Sequence, residues 1–239
     1  MINLKTGDGV TVVEFERGPV NALDLEVLDA FVEAMRGVEG PLVVTGAGRA
    51  FSAGVDLRRI VEDGDGYITE FLARLSEAFL ALFTYPYPTV AAVNGHAIAG
   101  GCVFAFCCDY RLMSAGTIGL AELPVGVAFP RVALEIVRYA LGPATGRAIL
   151  LGESVGPDDA RRLGLVDEVA APEELLTMAT KRAKSLARAP HELYAATKAE
   201  LQSDAREAIR SKPDTALPVW TSPETKQRLA EYLATLGGR

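Results

Sequence analysis

The stretch NGHAIAGGCVFAF, residues 94–106, lies in the most apolar part of the chain and contains two consecutive glycines. It follows the strand-like segment TVAAV, and its second half has the composition of a buried helix. Gly100 and Gly101 stand where that helix begins, although glycine there costs stability relative to alanine. Because a helix start carries free N–H groups, the pair predicts a turn where a ligand oxygen approaches the backbone.

A second stretch, GRAFSAGVDL at residues 48–57, has a similar design. The strand-like run VVTGAG precedes it, and Ser52, Ala53 and Gly54 form a turn of small residues that leave backbone N–H groups uncovered. Two N–H groups directed at one point make an oxyanion hole. The two stretches therefore predict the two halves of one site.

Composition places the chain among ordinary globular proteins. Its 239 residues are 49% hydrophobic and 23% charged, which predicts one α/β core or a core with a small appendage. The formal charge of −7 supplies no basic field for a phosphate backbone, so no nucleic-acid partner is expected. The first residues are typical of two strands joined by a turn and not of a secretory leader, which predicts a cytoplasmic protein.

The run at residues 89–108 is the one candidate for a membrane span. Asn94, the glycine pair and a following Asp109 interrupt or end it, so a buried strand, turn and helix are predicted and no membrane partner is expected. The chain has three cysteines, and all of them are expected within that helix. Their number and spacing predict reduced, buried thiols, with no disulfide framework and no metal site.

Strand and helix patterns alternate up to about residue 172, and three helical patterns then follow, separated by Pro190, Pro213 and Pro218. This succession predicts a layered α/β core at residues 1–172 and a C-terminal helical region at residues 173–239. Apolar side chains on the first of these helices are expected to dock onto the core or onto another subunit: Leu175, Leu176, Met178 and Ala179.

Two short motifs favour a different class of protein, the nicotinamide-dependent dehydrogenases. VVTGAGRAF begins like a dinucleotide-binding turn, but Phe51 stands where the third glycine belongs. YAATK has the spacing of a catalytic Tyr-Lys pair, with Tyr194 and Lys198, yet a hairpin and a helix precede the glycine turn. Both matches are short enough to occur by chance, so this class is disfavoured.

The paired glycine segments resemble the two oxyanion-hole segments of the crotonase superfamily, the enoyl-CoA hydratases and isomerases. The likeness extends from GPVNAL through CDYRL and ARRLGLVDEV to about residue 170. It implies an α/β fold, a crotonase-like spiral of β-β-α units with a C-terminal helical oligomerisation region. It also implies an acyl-CoA thioester as substrate, coenzyme A only as part of that substrate, no metal, and a homotrimer or dimer of trimers.

By the same resemblance, the N–H groups of Ala53 and Gly100 hold the thioester oxygen. The neighbouring residues of both segments and of the following loop are expected to bind substrate: Ser52, Gly54, Asp56, Leu57, Ala99, Gly101, Val103 and Val125. The loop residue Glu122 corresponds to a catalytic glutamate of the superfamily. Its apolar sequence neighbours predict partial burial and a raised pKa.

Hydratases of the superfamily use two glutamates, and Val103 occupies the place of the first. The sequence after Glu122 also lacks the Pro-Gly-x-Gly-Gly stretch common in hydratases and resembles the isomerase-like branch. A single glutamate fits an isomerase that moves a proton between two carbons, from 3-enoyl-CoA to 2-enoyl-CoA. The alternatives are an enoyl-CoA hydratase and a crotonase-like protein that binds acyl-CoA without turnover.

Other polar residues near the two segments have quieter predicted roles. His96 is expected in a turn or wall, Asp109 is expected to bind backbone groups or Arg111, and Asp56 is expected to cap a helix. Four arginines flank the first segment and are candidates for contacts with the coenzyme A phosphates: Arg17, Arg49, Arg58 and Arg59.

Overall fold

The N-terminal sequence forms the predicted hairpin, with strands β1 at Ile2–Gly7 and β2 at Val10–Phe15. Asp8 and Gly9 both have positive φ, at 55° and 75°, as the tight turn between two twisted antiparallel strands requires. The computed structural model describes residues 1–237. These residues form two sheets, and the hairpin lies at one edge of the larger sheet.

The larger sheet has six strands in the order β1-β2-β3-β5-β7-β10, and the smaller has four in the order β4-β6-β8-β9. All neighbours are parallel except the hairpin and the β8–β9 pair. After the hairpin, the strands are β3 Leu42–Gly46, β4 Ala50–Ser52, β5 Thr89–Val93, β6 His96–Ile98, β7 Tyr110–Met113, β8 Ile118–Gly119, β9 Ser154–Val155 and β10 Glu168–Val169.

Each repeat of the chain sends its first strand to the larger sheet and its second to the smaller one, as in the pairs β3–β4, β5–β6 and β7–β8. Helices follow each pair, which confirms the predicted spiral of β-β-α units. The helices up to the last strand are α1 Leu25–Arg36, α2 Leu57–Glu62, α3 Gly64–Phe83, α4 Gly100–Phe106, α5 Glu122–Val125, α6 Arg131–Leu141, α7 Thr145–Leu151 and α8 Pro157–Arg162.

Helix α4 is buried along its whole length and anchors the core. The ring of Phe104 lies 5.1 Å from that of Phe15, 5.0 Å from Phe31 and 4.8 Å from Phe79, mostly edge to face. These contacts join the hairpin sheet, α1 and α3 around one helix. The start of α4 is therefore held rigidly where β6 delivers it.

The C-terminal helices are α9 Leu175–Leu186, α10 His191–Leu201, α11 Ser203–Ser211, α12 Ala216–Trp220 and α13 Pro223–Gly237. Helix α9 docks on the larger sheet through Leu175, Ala179 and Ala183, whereas Leu176 stays 46% exposed. Pro218 does not separate helices as expected. It lies in the first turn of α12, where its missing N–H costs no hydrogen bond. The boundary at residue 172 stays a prediction.

Asp109 binds a backbone group, which is the first of the two roles expected for it. Its carboxylate does not contact Arg111 but accepts hydrogen bonds from the Thr89 N–H at 2.9 Å, the Tyr194 hydroxyl at 2.9 Å and Lys198 Nζ at 2.9 Å. The Tyr-x-x-x-Lys spacing of α10 therefore places both side chains on one half-buried carboxylate between β5 and β7. The motif braces the C-terminal helices against the sheet, and neither residue lines the large cavity described below.

The cysteines also differ from their predicted placement. Only Cys102 lies inside α4. The helix ends at Phe106, Cys107 is its C-cap, and Cys108 belongs to the turn that leads to β7. All three thiols are free, and burial raises the pKa of each. Among residues 1–237, no helix combines the length and the apolar character that a membrane crossing needs.

Candidate functional site

The two predicted segments meet through Gly54 and the start of α4. Gly54 has a φ of +84°, and a Cβ built on it would lie 2.7 Å from the Ile98 carbonyl oxygen and 3.3 Å from the Gly100 nitrogen. Both the backbone angle and the close approach demand glycine. The contact brings the first turn and the helix start to one place, as the sequence predicted.

The start of α4 leaves backbone donors free. Val103 N–H donates to Ala99 O at 3.0 Å, which is the first hydrogen bond of the helix, so the N–H groups of the preceding turn have no intrahelical acceptor. Ala99 itself donates to Gly119 O at 2.9 Å. Gly100 N–H donates to no group in residues 1–237, and Gly100 lines a large cavity. Its predicted position as a donor is therefore compatible with the structure.

Ala53 was predicted to be the second donor, and the structure contradicts this. Its N–H donates to Val20 O at 2.9 Å, so the chain itself already occupies the group. Ala53 still lines the cavity. The physical reason is long-range pairing. The segment that precedes α1 runs beside the first turn, and its Val20 carbonyl accepts the Ala53 N–H.

Val55, two residues further on, has the free N–H instead. Leu23 forms a parallel bridge with Val55 by donating to Gly54 O at 2.8 Å and accepting from Asp56 N–H at 2.9 Å. Since alternate peptide groups of an extended segment face opposite sides, the N–H of Val55 faces away from Leu23. It donates to no group in the described residues, and Val55 lines the cavity. This donor cannot be recognised from the sequence, because the exposure of its N–H depends on the bridge to Leu23.

The cavity has a volume of about 900 Å³. Nine of the eleven predicted site residues line it: Ala53, Gly54, Asp56, Leu57, Ala99, Gly100, Val103, Glu122 and Val125. Four further helices, α3, α6, α12 and α13, contribute apolar wall residues that include Phe79, Ala133, Trp220, Tyr232 and Leu233. These helical wall residues were not predicted, because a helical pattern in the sequence does not show which part of the core the helix faces.

Ser52 and Gly101 do not line the cavity, which corrects their predicted role in substrate binding. Ser52 is fully buried, and its Oγ donates to Asn21 O at 2.8 Å and accepts from Gly54 N–H at 3.2 Å. A Cβ on Gly101 would lie 2.2 Å from Ser52 O. The second glycine of the pair thus lets the helix start pack against β4, and only the first one faces the cavity.

Glu122 begins α5 and is 6% exposed at the cavity wall. Its Oε2 has no hydrogen-bond partner in residues 1–237. Burial raises the pKa of the carboxyl group to about 8, because the charged form is poorly solvated there. The predicted burial and raised pKa are confirmed. A carboxyl group with this pKa can both accept and return a proton near neutral pH.

The other cavity-lining carboxylates have structural partners. Asp24 caps α1 by accepting from Val27 N–H at 2.9 Å, and it also binds Arg17. Asp56 caps α2 by accepting from Arg58 N–H at 3.1 Å, as expected. Val103, which can carry no proton, lines the cavity as predicted. Among the described residues, Glu122 is the one cavity-lining carboxylate that neither caps a helix nor joins an ion pair.

The predicted arginine cluster is divided by its ion pairs. Arg17 binds Asp24, and Arg59 binds carboxylates on α1 and at the end of α2. Arg58 lines the cavity, is exposed, and joins no ion pair in residues 1–237. Arg49 is exposed and lies outside the cavity lining. His96, also outside it, bonds Thr117 through Nδ1 at 3.0 Å, which agrees with a turn role.

Two sheets wound from β-β-α units around a cavity, with a helix start at its wall, define a crotonase-fold protein. The sequence profile of the family described as "Enoyl-CoA hydratase/isomerase" matches residues 5–231. The chain belongs to the enoyl-CoA hydratase/isomerase family.

Individual relatives carry names from both activities. The chain is 33% identical over 177 residues to the mouse mitochondrial enoyl-CoA delta isomerase 1, an alignment that covers 70% of this chain and 61% of the mouse protein. The human mitochondrial delta3-delta2-enoyl-CoA isomerase structure has a TM-score of 0.92 at 25% identity and covers 99% of this chain and 98% of its own. A putative enoyl-CoA hydratase from Thermus thermophilus is 39% identical over 168 residues, an alignment that covers 69% of this chain and 66% of the Thermus protein.

Proposed function

We propose that this protein is an enoyl-CoA isomerase that converts 3-enoyl-CoA into 2-enoyl-CoA. The N–H groups of Val55 and Gly100 hold the thioester oxygen, and Glu122 carries the proton. The observation that supports this proposal most strongly is the lone carboxylate, since Glu122 lacks a partner at Oε2 while Val103 occupies the position of a second acid.

The proposed reaction needs one acid-base group. When the thioester carbonyl accepts hydrogen bonds from both N–H groups, the negative charge that develops on its oxygen is stabilised. Glu122 removes the proton from C2 of a 3-enoyl chain, and the electron pair spreads over the dienolate. The same carboxylic acid then gives the proton to C4, which leaves the double bond between C2 and C3. Atoms and charges balance without a second catalyst.

The buried position of Glu122 supports this role physically. A carboxylate with a pKa of about 8 is a stronger base than one in water, and its acid form returns a proton readily near neutral pH. The dipole of α4 adds positive potential at the Gly100 end of the site. The proposed chemistry draws on no metal or redox cofactor, with coenzyme A present only as part of the substrate.

Hydration of 2-enoyl-CoA is the second candidate, because the Thermus thermophilus relative at 39% identity is named as a putative enoyl-CoA hydratase. Water addition in this site would give Glu122 two tasks, activation of water and delivery of a proton. Val103 cannot share them.

The two activities separate in one assay with 3-enoyl-CoA and 2-enoyl-CoA as substrates. We expect 3-enoyl-CoA to gain the ultraviolet absorbance of the conjugated thioester, and 2-enoyl-CoA to keep its own. The substitution Glu122→Gln should lower isomerisation by about 10²–10⁴-fold, because the amide cannot exchange the proton. Glu173→Gln, on an exposed residue, is the matched control and should retain full activity.

Three outcomes would contradict the proposal. Loss of conjugation from 2-enoyl-CoA would identify a hydratase. Isomerisation that persists in Glu122→Gln would show that Glu122 does not carry the proton. Tight binding of several acyl-CoA chain lengths without either reaction would identify a binding protein.

We further propose that the protein assembles as a homotrimer or a dimer of trimers. Leu150 and Leu151 of α7 are 74% and 50% exposed, so a single chain leaves apolar surface that a second copy can cover. Light scattering coupled to size exclusion measures the mass, and a monomer would contradict this. The cytoplasmic location stays a prediction.

A further inference from the structure

The cavity changes character from one end to the other. Its outer end carries exposed residues, including Gly18, Pro19 and Arg58. Its inner end is lined by apolar side chains with almost no exposure, including Phe79 at 1% and Trp220 at 2%. A thioester with a charged nucleotide and an apolar chain fits such a cavity in one direction only. The acyl chain therefore extends towards Phe79 and Trp220.

The side chain of Trp220 is fixed in position. It ends the short helix α12, which packs against α3, and its indole Nε1–H donates to Ala128 O at 2.8 Å. This bond ties the ring to the segment between α5 and α6, six residues after Glu122. Because the hydrogen bond would be lost if the ring turned away, Trp220 cannot make room for a longer chain at low cost.

Phe79 forms a second rigid part of the same inner wall. Its ring is fully buried and lies 4.8 Å from the ring of Phe104, edge to face, in the aromatic cluster around α4. Close-packed aromatic side chains yield little to an inserted group. Trp220 lies on a short C-terminal helix and belongs to the same buried core, so its variants need a check of folding before binding is measured.

We propose that Trp220 closes the inner end of the cavity and sets the longest acyl chain that the protein accepts. This inference rests on the proposed function insofar as an acyl-CoA occupies the cavity. A hydrophobic pocket distinguishes chains that differ by one methylene by about 10–200-fold. A rigid indole at the end of the cavity therefore produces a sharp limit in chain length.

The test measures dissociation constants of saturated acyl-CoA thioesters, from butanoyl- to hexadecanoyl-CoA, by calorimetry. Saturated chains bind without reacting, so the result does not depend on whether the enzyme isomerises or hydrates. In the wild type, affinity should rise with length and then fall at the first chain that no longer fits. In Trp220→Leu, that first rejected chain should bind at least about tenfold more tightly, with shorter chains little changed.

Leu229→Ala is the matched control, because Leu229 of α13 is fully buried and does not line the cavity. It should leave the length limit unchanged. Trp220→Phe keeps an aromatic ring, and it provides the same test with a smaller shift if the leucine variant does not fold.

An unchanged length limit in the folded Trp220 variants would overturn the inference and leave the proposed function standing. An equal shift in Leu229→Ala would also overturn it, since loosened packing would then explain the result. Failure of the wild type to bind any acyl-CoA would overturn the proposed function itself.

Discussion

The two segments that build the backbone site look alike in sequence but differ in how their donors become free. At the start of α4, Gly100 N–H is free because a helix has no acceptor for its first N–H groups. In the first turn, Ala53 N–H is bound to Val20 O and Val55 N–H is free. One donor thus follows from local geometry, and the other depends on a segment thirty or more residues away in the chain.

This difference explains why one predicted donor agrees with the structure and the other is wrong. A helix start can be recognised from the strand, the glycine pair and the apolar run that follows. The choice between Ala53 and Val55 depends on the register of the bridge between Leu23 and Val55. A shift of one residue in that register would reverse which N–H groups face the cavity.

Replacement of single backbone amides by esters tests which N–H groups are the donors, and it should have the largest effect on activity. An α-hydroxy acid incorporated at position 55 or at position 100 removes one N–H and leaves the side chain unchanged. We expect each ester to lower kcat for isomerisation by about 10²–10³-fold, as for the loss of one oxyanion donor. The ester at position 53 removes the bond to Val20 O and should lower stability by about 1 kcal/mol with little effect on kcat.

Steady-state kinetics and thermal unfolding of the three ester variants measure both effects. If the ester at position 53 were the one that abolished turnover, Ala53 would be the donor in the substrate complex. The original prediction from the sequence would then be restored.

The pH dependence contrasts the backbone donors, which do not titrate, with Glu122, which does. Since the base form of Glu122 is required and burial raises its pKa to about 8, kcat/KM should fall about tenfold per unit below pH 8. At pH 6 the loss is about 100-fold relative to the plateau above pH 8. A profile that is flat between pH 6 and pH 8 would contradict the assignment of Glu122 as the base.

The same shift makes a prediction about folding. The folded state holds the Glu122 proton more tightly than the unfolded state. Protonated Glu122 therefore contributes to the free energy of unfolding below the unfolded pKa, and this contribution is lost as pH rises to about 8. Glu122→Gln has no titrating group at this position, so it does not lose stability in this way. Its free energy of chemical unfolding, measured relative to wild type, should therefore increase from about pH 4.5 to pH 8 and then stay constant.

The two glycines of the pair should respond differently to alanine. A Cβ on Gly101 would lie 2.2 Å from Ser52 O, a backbone atom, whereas a Cβ on Gly100 would first meet the end of the Leu23 side chain at 3.1 Å. We expect Gly101→Ala to destabilise the fold by about 1–3 kcal/mol and Gly100→Ala by less. Chemical denaturation measures both. Equal losses would show that Gly101 does not hold α4 against β4.

Much of the fold could be predicted from local pattern, and the limits were contacts between distant segments. The hairpin, α1 behind its Asp24 cap, and the strand-turn-helix around Gly100 all follow from periodicity and turn residues. Glu122 was found through its resemblance to a family position and its apolar neighbours. The roles of Val55 and Trp220 could not be predicted, because each faces the cavity only through partners far along the chain.

The smallest expected effect concerns Ala99, which precedes the glycine pair with a φ of +49° and ψ of −120°. An L-residue with such angles costs about 1–3 kcal/mol, so the chain stores strain at the start of α4. Ala99→Gly relieves that strain, but it also increases the conformational entropy of the unfolded chain, which costs about 0.4–1 kcal/mol and leaves a small net gain in stability.

Ala121→Gly is the matched control. Ala121 also lines the cavity before a helix, but its φ is −93°, so glycine there should destabilise the fold. We expect the melting temperature to rise in Ala99→Gly and to fall in Ala121→Gly, with kcat/KM of Ala99→Gly reduced by less than about tenfold. This result would show that Ala99 fixes the direction of the Gly100 N–H. Equal losses in both variants would show that Ala99 carries no strain, and the helix start would then owe its geometry to β6 and Gly101 alone.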